Sequence, residues 1–269
     1  MRGSSRGAGL AAEKALNLAL DGVDRNALAE ELFSIAGIIE GNVALRRSFA
    51  DPSREGEAKR GLADRIFGGK VSEAATTLTG EVVAQRWSSE GDLSDTFEAL
   101  AVRALLASAE KAGRIDAVED ELFRFERIVA GDAGLRDTLS TRNTDATGKA
   151  GLVSALLEGK ASPETVRLAQ QAVLVARGRR LDRVLEVYLK LAATRRDELT
   201  AVVSVAVPLD ERQQSRLASA LRDIYGKKVT LQTVLDKNVV GGIRVQIGDE
   251  VVDGTVARRL ESVRHDLAG

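Results

Sequence analysis

Part of this chain occurs twice, and that constrains its fold more than any other feature. Glu31-Leu32-Phe33 recurs as Glu121-Leu122-Phe123, an offset of 90 residues. At the same offset Leu45-Arg46 matches Leu135-Arg136, Lys59 matches Lys149, and Gly61-Leu62 matches Gly151-Leu152. Gly69-Lys70 and Ser72 match Gly159-Lys160 and Ser162. Over Leu28–Ser72 against Val118–Ser162 the ungapped comparison holds 13 identities in 45 positions. Apolar positions coincide too, Ile35 with Phe125 and Ile66 with Leu156. Composition alone gives only a few such matches, so a duplicated module is the reading.

The module is helical. Val118, Leu122, Phe125 and Val129 make one apolar stripe at i, i+4, i+7 and i+11. Gly131 and Gly134 punctuate its end, and Asn143–Gly148 is a polar loop, with Asp51-Pro52-Ser53 in the corresponding loop of the first copy. Ser162-Pro163-Glu164 starts a helix running toward Arg177, with Ser as N-cap and Pro in the first turn. Another helix follows over 181–198. Residues 93–112 align backward with the start of copy one and forward with the last helix of copy two. Phe97, Leu100, Ala101, Ala104, Leu105 and Ser108 form one stripe there, and Val102, Leu106 and Ala109 a second beside it. Two readings stay open: one helix shared by both bundles, or one broad core face bordered by alanines. The expected division is 1–108 for the first copy, 93–198 for the second and 199–269 for a terminal module.

In that module the period changes. Ala201–Val207 is β-branched and bounded by Pro208, hence a strand. Asp210 caps a helix over Glu211–Tyr225 that ends at Gly226. Val229–Val234 and Ile243–Ile247 alternate as strands, Gly248-Asp249 turns a hairpin into Val251-Val252, and Thr255 opens a last helix over Val256–Leu267. Gly241 and Gly242 read as a bulge or a close strand approach. The fold class is therefore mainly α with a small C-terminal α/β module: a duplicated helical bundle, then a strand–helix–strand–hairpin–helix domain.

Composition narrows the function. Aromatics are 3% of the chain, so cores are built of Ala, Leu and Val at helical spacing. A formal charge of −1 argues against a nucleic-acid binder. Cysteine is absent and the one histidine, His265, sits near the chain end as a solvated helix-end residue. The longest uncharged run, Leu199–Leu209, has 11 residues, whereas a membrane span needs about 20. The N-terminal stretch lacks the apolar core of a signal peptide, so a cytoplasmic, soluble polypeptide is expected.

The sequence holds no phosphate-cradling glycine loop, zinc-protease motif or calcium loop. No cofactor, metal or catalytic residue is expected. Glu30, Glu31, Glu119, Asp120 and Glu121 read as solvated helix faces. Arg46-Arg47, Arg179-Arg180, Arg195-Arg196 and Arg258-Arg259 read as surface charge or as contacts with an acidic partner. Trp87 reads as bundle-edge packing.

The C-terminal third carries a resemblance. Lys237-Asn238-Val239-Val240-Gly241-Gly242-Ile243-Arg244-Val245, then Ile247-Gly248-Asp249, then Asp253-Gly254-Thr255-Val256 and Arg259-Leu260 together resemble the delta subunit of F-type ATP synthases, a family that includes the mitochondrial oligomycin-sensitivity-conferring protein. Upstream, Val205–Leu209, Tyr225–Val229, Ala112-Gly113-Arg114-Ile115-Asp116 and Ala176–Leu181 look like further parts of its pattern. The first hundred residues depart from the usual single bundle and resemble actinobacterial members with an enlarged helical region. The resemblance implies a non-catalytic stator subunit, one copy per complex, on the cytoplasmic face of the cell membrane. Its partners would be N-terminal helices of the alpha subunits and the b subunits of the peripheral stalk. The alpha groove is expected between helices 97–112 and 164–177, on Val102, Leu106, Ala109, Leu168, Ala172 and Val175; the alternative is that these residues only complete the bundle core. Gly241, Gly242, Gly248, Asp253, Gly254, Arg259 and Leu260 are expected to serve the fold. The rival readings are a helical adaptor unrelated to ATP synthesis and, behind it, an enzyme.

Overall fold

The computed structural model describes residues 3–140, 146–175, 180–236, 239, 241–247 and 250–253. Among them are twelve helices and four strands, and the chain divides into two compact units, Met1–Ala193 and Thr194–Gly269. It is mainly α with a small C-terminal α/β module, as the periodicities require.

The first unit runs α1 (Ser4–Ala19), α2 (Arg25–Gly41), α3 (Val43–Ala50), α4 (Gly56–Phe67), α5 (Glu73–Ala84) and α6 (Glu90–Lys111). It continues with α7 (Ile115–Gly131), α8 (Ala133–Ser140), α9 (Ala146–Leu157), α10 (Pro163–Leu174) and α11 (Leu181–Asp197). At the repeat offset α2–α5 fall on α7–α10, and α1, α6 and α11 are successive occurrences of one helix position. The predicted stripe Val118, Leu122, Phe125 and Val129 is the buried face of α7.

The duplication extends to individual hydrogen bonds. Asn42 caps α3 by accepting from the Leu45 amide at 3.0 Å, and Asp132 accepts from the Leu135 amide at 2.9 Å. The Arg46 guanidinium donates to the Glu40 carbonyl, and Arg136 donates to the Ala130 carbonyl. Gly69 and Gly159 both take positive φ, 71° and 72°, and the next amide closes onto Phe67 or Leu157 at 2.9 Å. Only glycine adopts that backbone cheaply, which explains its recurrence.

Glu31 and Glu121 depart from the solvated faces assigned to them. The Ser72 amide and hydroxyl donate to Glu31 at 2.8 and 2.6 Å. The Ser162 amide and hydroxyl donate to Glu121 at 2.9 and 3.1 Å, and the Thr165 hydroxyl adds a third bond at 2.5 Å. Each carboxylate thus satisfies the start of a helix 41 residues on, α5 in one copy and α10 in the other. A negative charge is favourable there because the amide dipoles converge on the helix N-terminus. Ser72 also caps α5 by accepting from the Ala75 amide at 3.2 Å, whereas Ser162 makes no hydroxyl cap of α10.

Thirteen of the residues of α6 are buried, too many for a helix with one inner face. It packs against α1, α2 and α3, and also against α7 and α10. Arg103 pairs with Glu13 of α1 at 2.8 Å, Arg25 donates to the Ala107 carbonyl at 2.7 Å, and the Tyr188 hydroxyl of α11 donates to Glu98 at 2.9 Å. Trp87, just before α6, is buried and its indole N–H donates to the Val82 carbonyl at 3.0 Å, which satisfies the one polar atom that burial would strand.

The second unit comprises β1 (Glu198–Val205), α12 (Glu211–Tyr225), β2 (Lys228–Leu235), β3 (Ile243–Ile247) and β4 (Glu250–Asp253), in sheet order β2-β1-β3-β4. β1 pairs parallel with β2 and antiparallel with β3, so Val203 stands between Thr233 and Val245. The strand begins earlier than Ala201 because pairing with β2 extends back to Glu198 opposite Lys228. Ala201, Val203, Val205, Val229, Val245 and Ile247 make the inner face with Leu221 of α12, the alternation a half-buried sheet imposes. Asp210 and Gln213 form a reciprocal capping box on α12, and Gly226 ends it in the left-handed conformation.

Gly241 and Gly242 are not a bulge. Both have positive φ, 66° and 79°, and lie in an exposed bend ahead of β3, where β-branched residues would be strained. Asp253 ends β4. Gly248, Gly254, Arg259 and Leu260, with the expected turn at 248–249, the last helix and His265, lie outside the described residues.

Candidate docking interface

The six residues expected to line a groove are buried in the core of the helical unit and line no open groove. α6 does pack against α10. Val102, Leu106, Ala109, Leu168 and Ala172 are each 0% exposed and Val175 is 9% exposed. All six belong to the buried core of the helical unit, in which α6 packs against α2, α10 and other helices, so a partner reaches them only if that packing opens. Their copy-one counterparts Ala12, Leu16, Leu78 and Val82 are buried in the same way, where α1 packs on α5. The periodicity marked these residues as an apolar stripe, and the structure buries it within the unit.

Polar anchoring fixes where α10 starts. Arg114 sits in the turn before α7, and its guanidinium donates to the Glu164 carboxylate at 3.2 and 2.5 Å. Glu164 is buried, and the pair raises the Arg114 pKa by direct hydrogen bonding and by charge. A two-point fork suits arginine where lysine would make one contact. This gives a physical role to Arg114 within the Gly113-Arg114-Ile115-Asp116 motif.

A second arginine joins the copies. Arg167 of α10 donates to Glu30 of α2 at 2.6 and 2.9 Å and to Gln171 at 2.9 Å. Its guanidinium carbon lies 4.3 Å from the centre of the Phe33 ring. The planar cation thereby satisfies a carboxylate and covers an aromatic face at once. Neither Arg167 nor Glu30 with Phe33 stood out in the sequence as a pair. The one available signal was that Phe33 and Phe123 are identities of the repeat, while Arg167 has Thr77 at its own repeat position.

Of the basic pairs, Arg46 and Arg47 both engage Glu90 at 3.5 Å, Arg180 engages Asp182 at 2.7 Å, and Arg196 engages Asp197 at 3.1 Å. These charges have internal partners. Arg179, Arg258 and Arg259 lie outside the described residues. An open cleft of about 610 Å³ borders Arg47, Asp51, Arg54, Trp87 and Glu90, and its arginines are already paired with Glu90 and Asp51. Lys59 is buried beside it, donating to the Gln85 carbonyl at 3.3 Å, and burial lowers its pKa.

Exposed apolar side chains recur on the outer helix faces: Leu10 and Leu18 on α1, Ile38 on α2, Phe123 and Ile128 on α7, and Val187 on α11. In the second unit Val234 and Leu235 of β2 and Val251 and Val252 of β4 are exposed on the two edge strands. Among the described residues no group of three or more His, Cys, Asp or Glu side chains could hold a metal ion, and no helix is long and apolar enough to cross a membrane.

These features define a class: a duplicated helical unit followed by a small mixed-sheet module, with apolar faces and edges turned outward. The family follows from comparison with known proteins. The model of the ATP synthase delta (OSCP) subunit family matches residues 102–267, from within α6 through the sheet unit. ATP synthase subunit delta of Streptomyces griseus is 45% identical over 271 aligned positions that cover 100% of each chain. The subunit delta of Nocardia farcinica is 43% identical over 273, again covering 100% of each, and that of Kineococcus radiotolerans 42% over 254, covering 94% of this chain and 92% of its own. The chain belongs to the ATP synthase delta (OSCP) subunit family. Members are non-catalytic subunits of the ATP synthase, a membrane-associated complex, so the chain is not itself an enzyme. The residues ahead of 102 that the family model leaves unmatched are shared with these full-length relatives.

Proposed function

We propose that this subunit is a stator part of the proton-translocating F-type ATP synthase. In this reading the helical unit holds N-terminal helices of the alpha subunits at the top of the catalytic head. The sheet unit holds the end of the peripheral stalk formed by b subunits. One copy serves each complex, as a peripheral component on the cytoplasmic face of the cell membrane. The observation that carries the reading is the full-length similarity to ATP synthase delta subunits at 45% identity.

The physical requirement is torque. Unless the head is tied to a static stalk it turns with the rotor, and proton flow does no work on the nucleotide sites. Such a tie needs broad helix-on-helix contacts and no chemistry of its own. The duplicated unit supports this reading, because α6 packs on helices of both copies and ties them without a linker. We assign α6 to both bundles, closing the first and opening the second. In the same reading Val102, Leu106, Ala109, Leu168, Ala172 and Val175 are the floor beneath the alpha contact, holding α6 and α10 as one surface. The exposed edges β2 and β4 offer the stalk a strand-like or helix-lying contact.

The test is purification of the tagged subunit from gently solubilised membranes. Alpha, beta and b subunits are expected to come with it in constant ratio. Recovery of the subunit alone, from membranes that retain coupled ATP synthesis, overturns the reading.

A further inference from the structure

We propose that the exposed face of α7 centred on Asp120 and Phe123 docks a partner helix that presents an arginine or lysine. The template lies within the same molecule. Asp120 and Phe123 fall at the repeat positions of Glu30 and Phe33. In copy one those two residues receive Arg167 from α10: the carboxylate takes the guanidinium at two points, and the ring lies beneath it at 4.3 Å. Phe33 is accordingly 5% exposed, whereas Phe123 is 52% exposed. One copy therefore has its helix-face site filled by the next copy, and the last copy has the same site open. This is the signature of a head-to-tail interface that ends at the terminal repeat.

Charge selects the occupant. Asp116, Asp120 and Phe123 lie at i, i+4 and i+7, on one exposed line of α7. Copy one has the neutral Asn26 where copy two has Asp116, so the line Asp116–Asp120–Phe123 carries one more carboxylate than its counterpart. Asp120 now pairs with Arg124 one turn along at 2.5 Å, with both side chains mostly exposed. An exposed pair of that kind gives way readily to an incoming cation that is also held by an aromatic face. Arg124 and Arg127 stand where copy one has Ser34 and Gly37, and they confine the occupant to the Asp116–Phe123 end. A second copy of this chain would have to present a cation other than Arg167, which is bound to its own Glu30. In the stator reading one copy serves each complex, so the proposed occupant is a helix of another subunit that presents an arginine or lysine.

The inference rests on the stator reading for the source of that helix, and the experiment separates the two. A photo-reactive benzoylphenylalanine replaces Phe123 in the full chain, the complex is purified and irradiated, and the joined peptide is sequenced. One segment of another subunit is expected, with Arg or Lys within a turn of the attachment point. Asp120→Lys in the same chain is expected to lower the yield at least tenfold. The same probe at Val43, which is comparably exposed on α3, sets the background. Yield no higher than at Val43, a joined segment without a cation, joining between two copies of this chain, or indifference to Asp120→Lys each overturns the proposal. If the head co-purifies while the joining fails, the docking site falls and the stator reading stands. Absence of the head from the purified material sinks both.

Discussion

The two helical copies agree where a helix end must be held and differ where a helix face meets something. Glu31 and Glu121 reach the same N-terminus, Arg46 and Arg136 the same carbonyl position, and Gly69 and Gly159 the same left-handed turn. These are local debts of the backbone: amides and carbonyls at helix ends have no partner in the helix, so each copy owes the same polar groups. Faces owe nothing until a neighbour is fixed. Phe33 lies under Arg167 while Phe123 faces outward, and Arg114 has Asp24 at its repeat position, where the carboxylate caps α2. Duplication thus preserves the frame and frees the surfaces.

The strongest way to break this comparison is to truncate the paired aromatics. Phe33→Ala is expected to cost about 3 kcal/mol, because it empties a buried site and strips the face beneath Arg167. Phe123→Ala is expected to stay within about 0.5 kcal/mol in the free subunit, as exposed substitutions do. Urea unfolding of both variants measures the difference. Equal losses would mean that the two faces are packed alike and that the asymmetry is not real.

A smaller effect tests the shared frame. Glu121 accepts three hydrogen bonds at a partly buried helix start, and Glu31 accepts two at an exposed one. Glu121→Ala is expected to cost about 2 kcal/mol and Glu31→Ala about 1 kcal/mol, since charge-assisted bonds weaken with solvent access. Amide exchange at Ser162 and Ser72 should quicken in the matching variant only. If either substitution left its helix start protected, the cap would not depend on the distant carboxylate.

Some of the frame could have been read from the repeat, because both partners of the carboxylate anchor are identities of it. Glu31 with Ser72 and Glu121 with Ser162 recur at one offset, and that coincidence is a contact signal which periodicity lacks. Read one at a time, the same carboxylates look like solvated charge. Helix and strand limits followed from stripes, caps and alternation, most closely at α12 and β3. The docking surface was less legible for a definite reason. A stripe such as Val102, Leu106 and Ala109 states that something apolar covers it, and only the fold shows that helices of the same unit do. The Arg167–Glu30 pair spans 137 residues and has no counterpart in the repeat, so periodicity and repeat identity did not announce it.

The smallest expected effect concerns a position that both copies fill with lysine. Lys59 and Lys149 are each buried. Burial is the main cause that lowers the Lys59 pKa below its usual 10.5; Asp51 opposes it and Arg86 adds to it. Lowering a lysine pKa in the folded state means that the unfolded chain binds more protons over the interval between the two values. Stability contributed through Lys59 therefore rises as pH climbs through the folded pKa, and the gain is complete above the unfolded one. Lys59→Met removes the titrating group from that position and keeps a flexible apolar stem in its place. The slope is the informative quantity: unfolding free energy measured in urea from pH 7 to pH 10 should rise less in Lys59→Met than in the parent. A steeper rise in the variant would show that Asp51, not burial, governs this lysine.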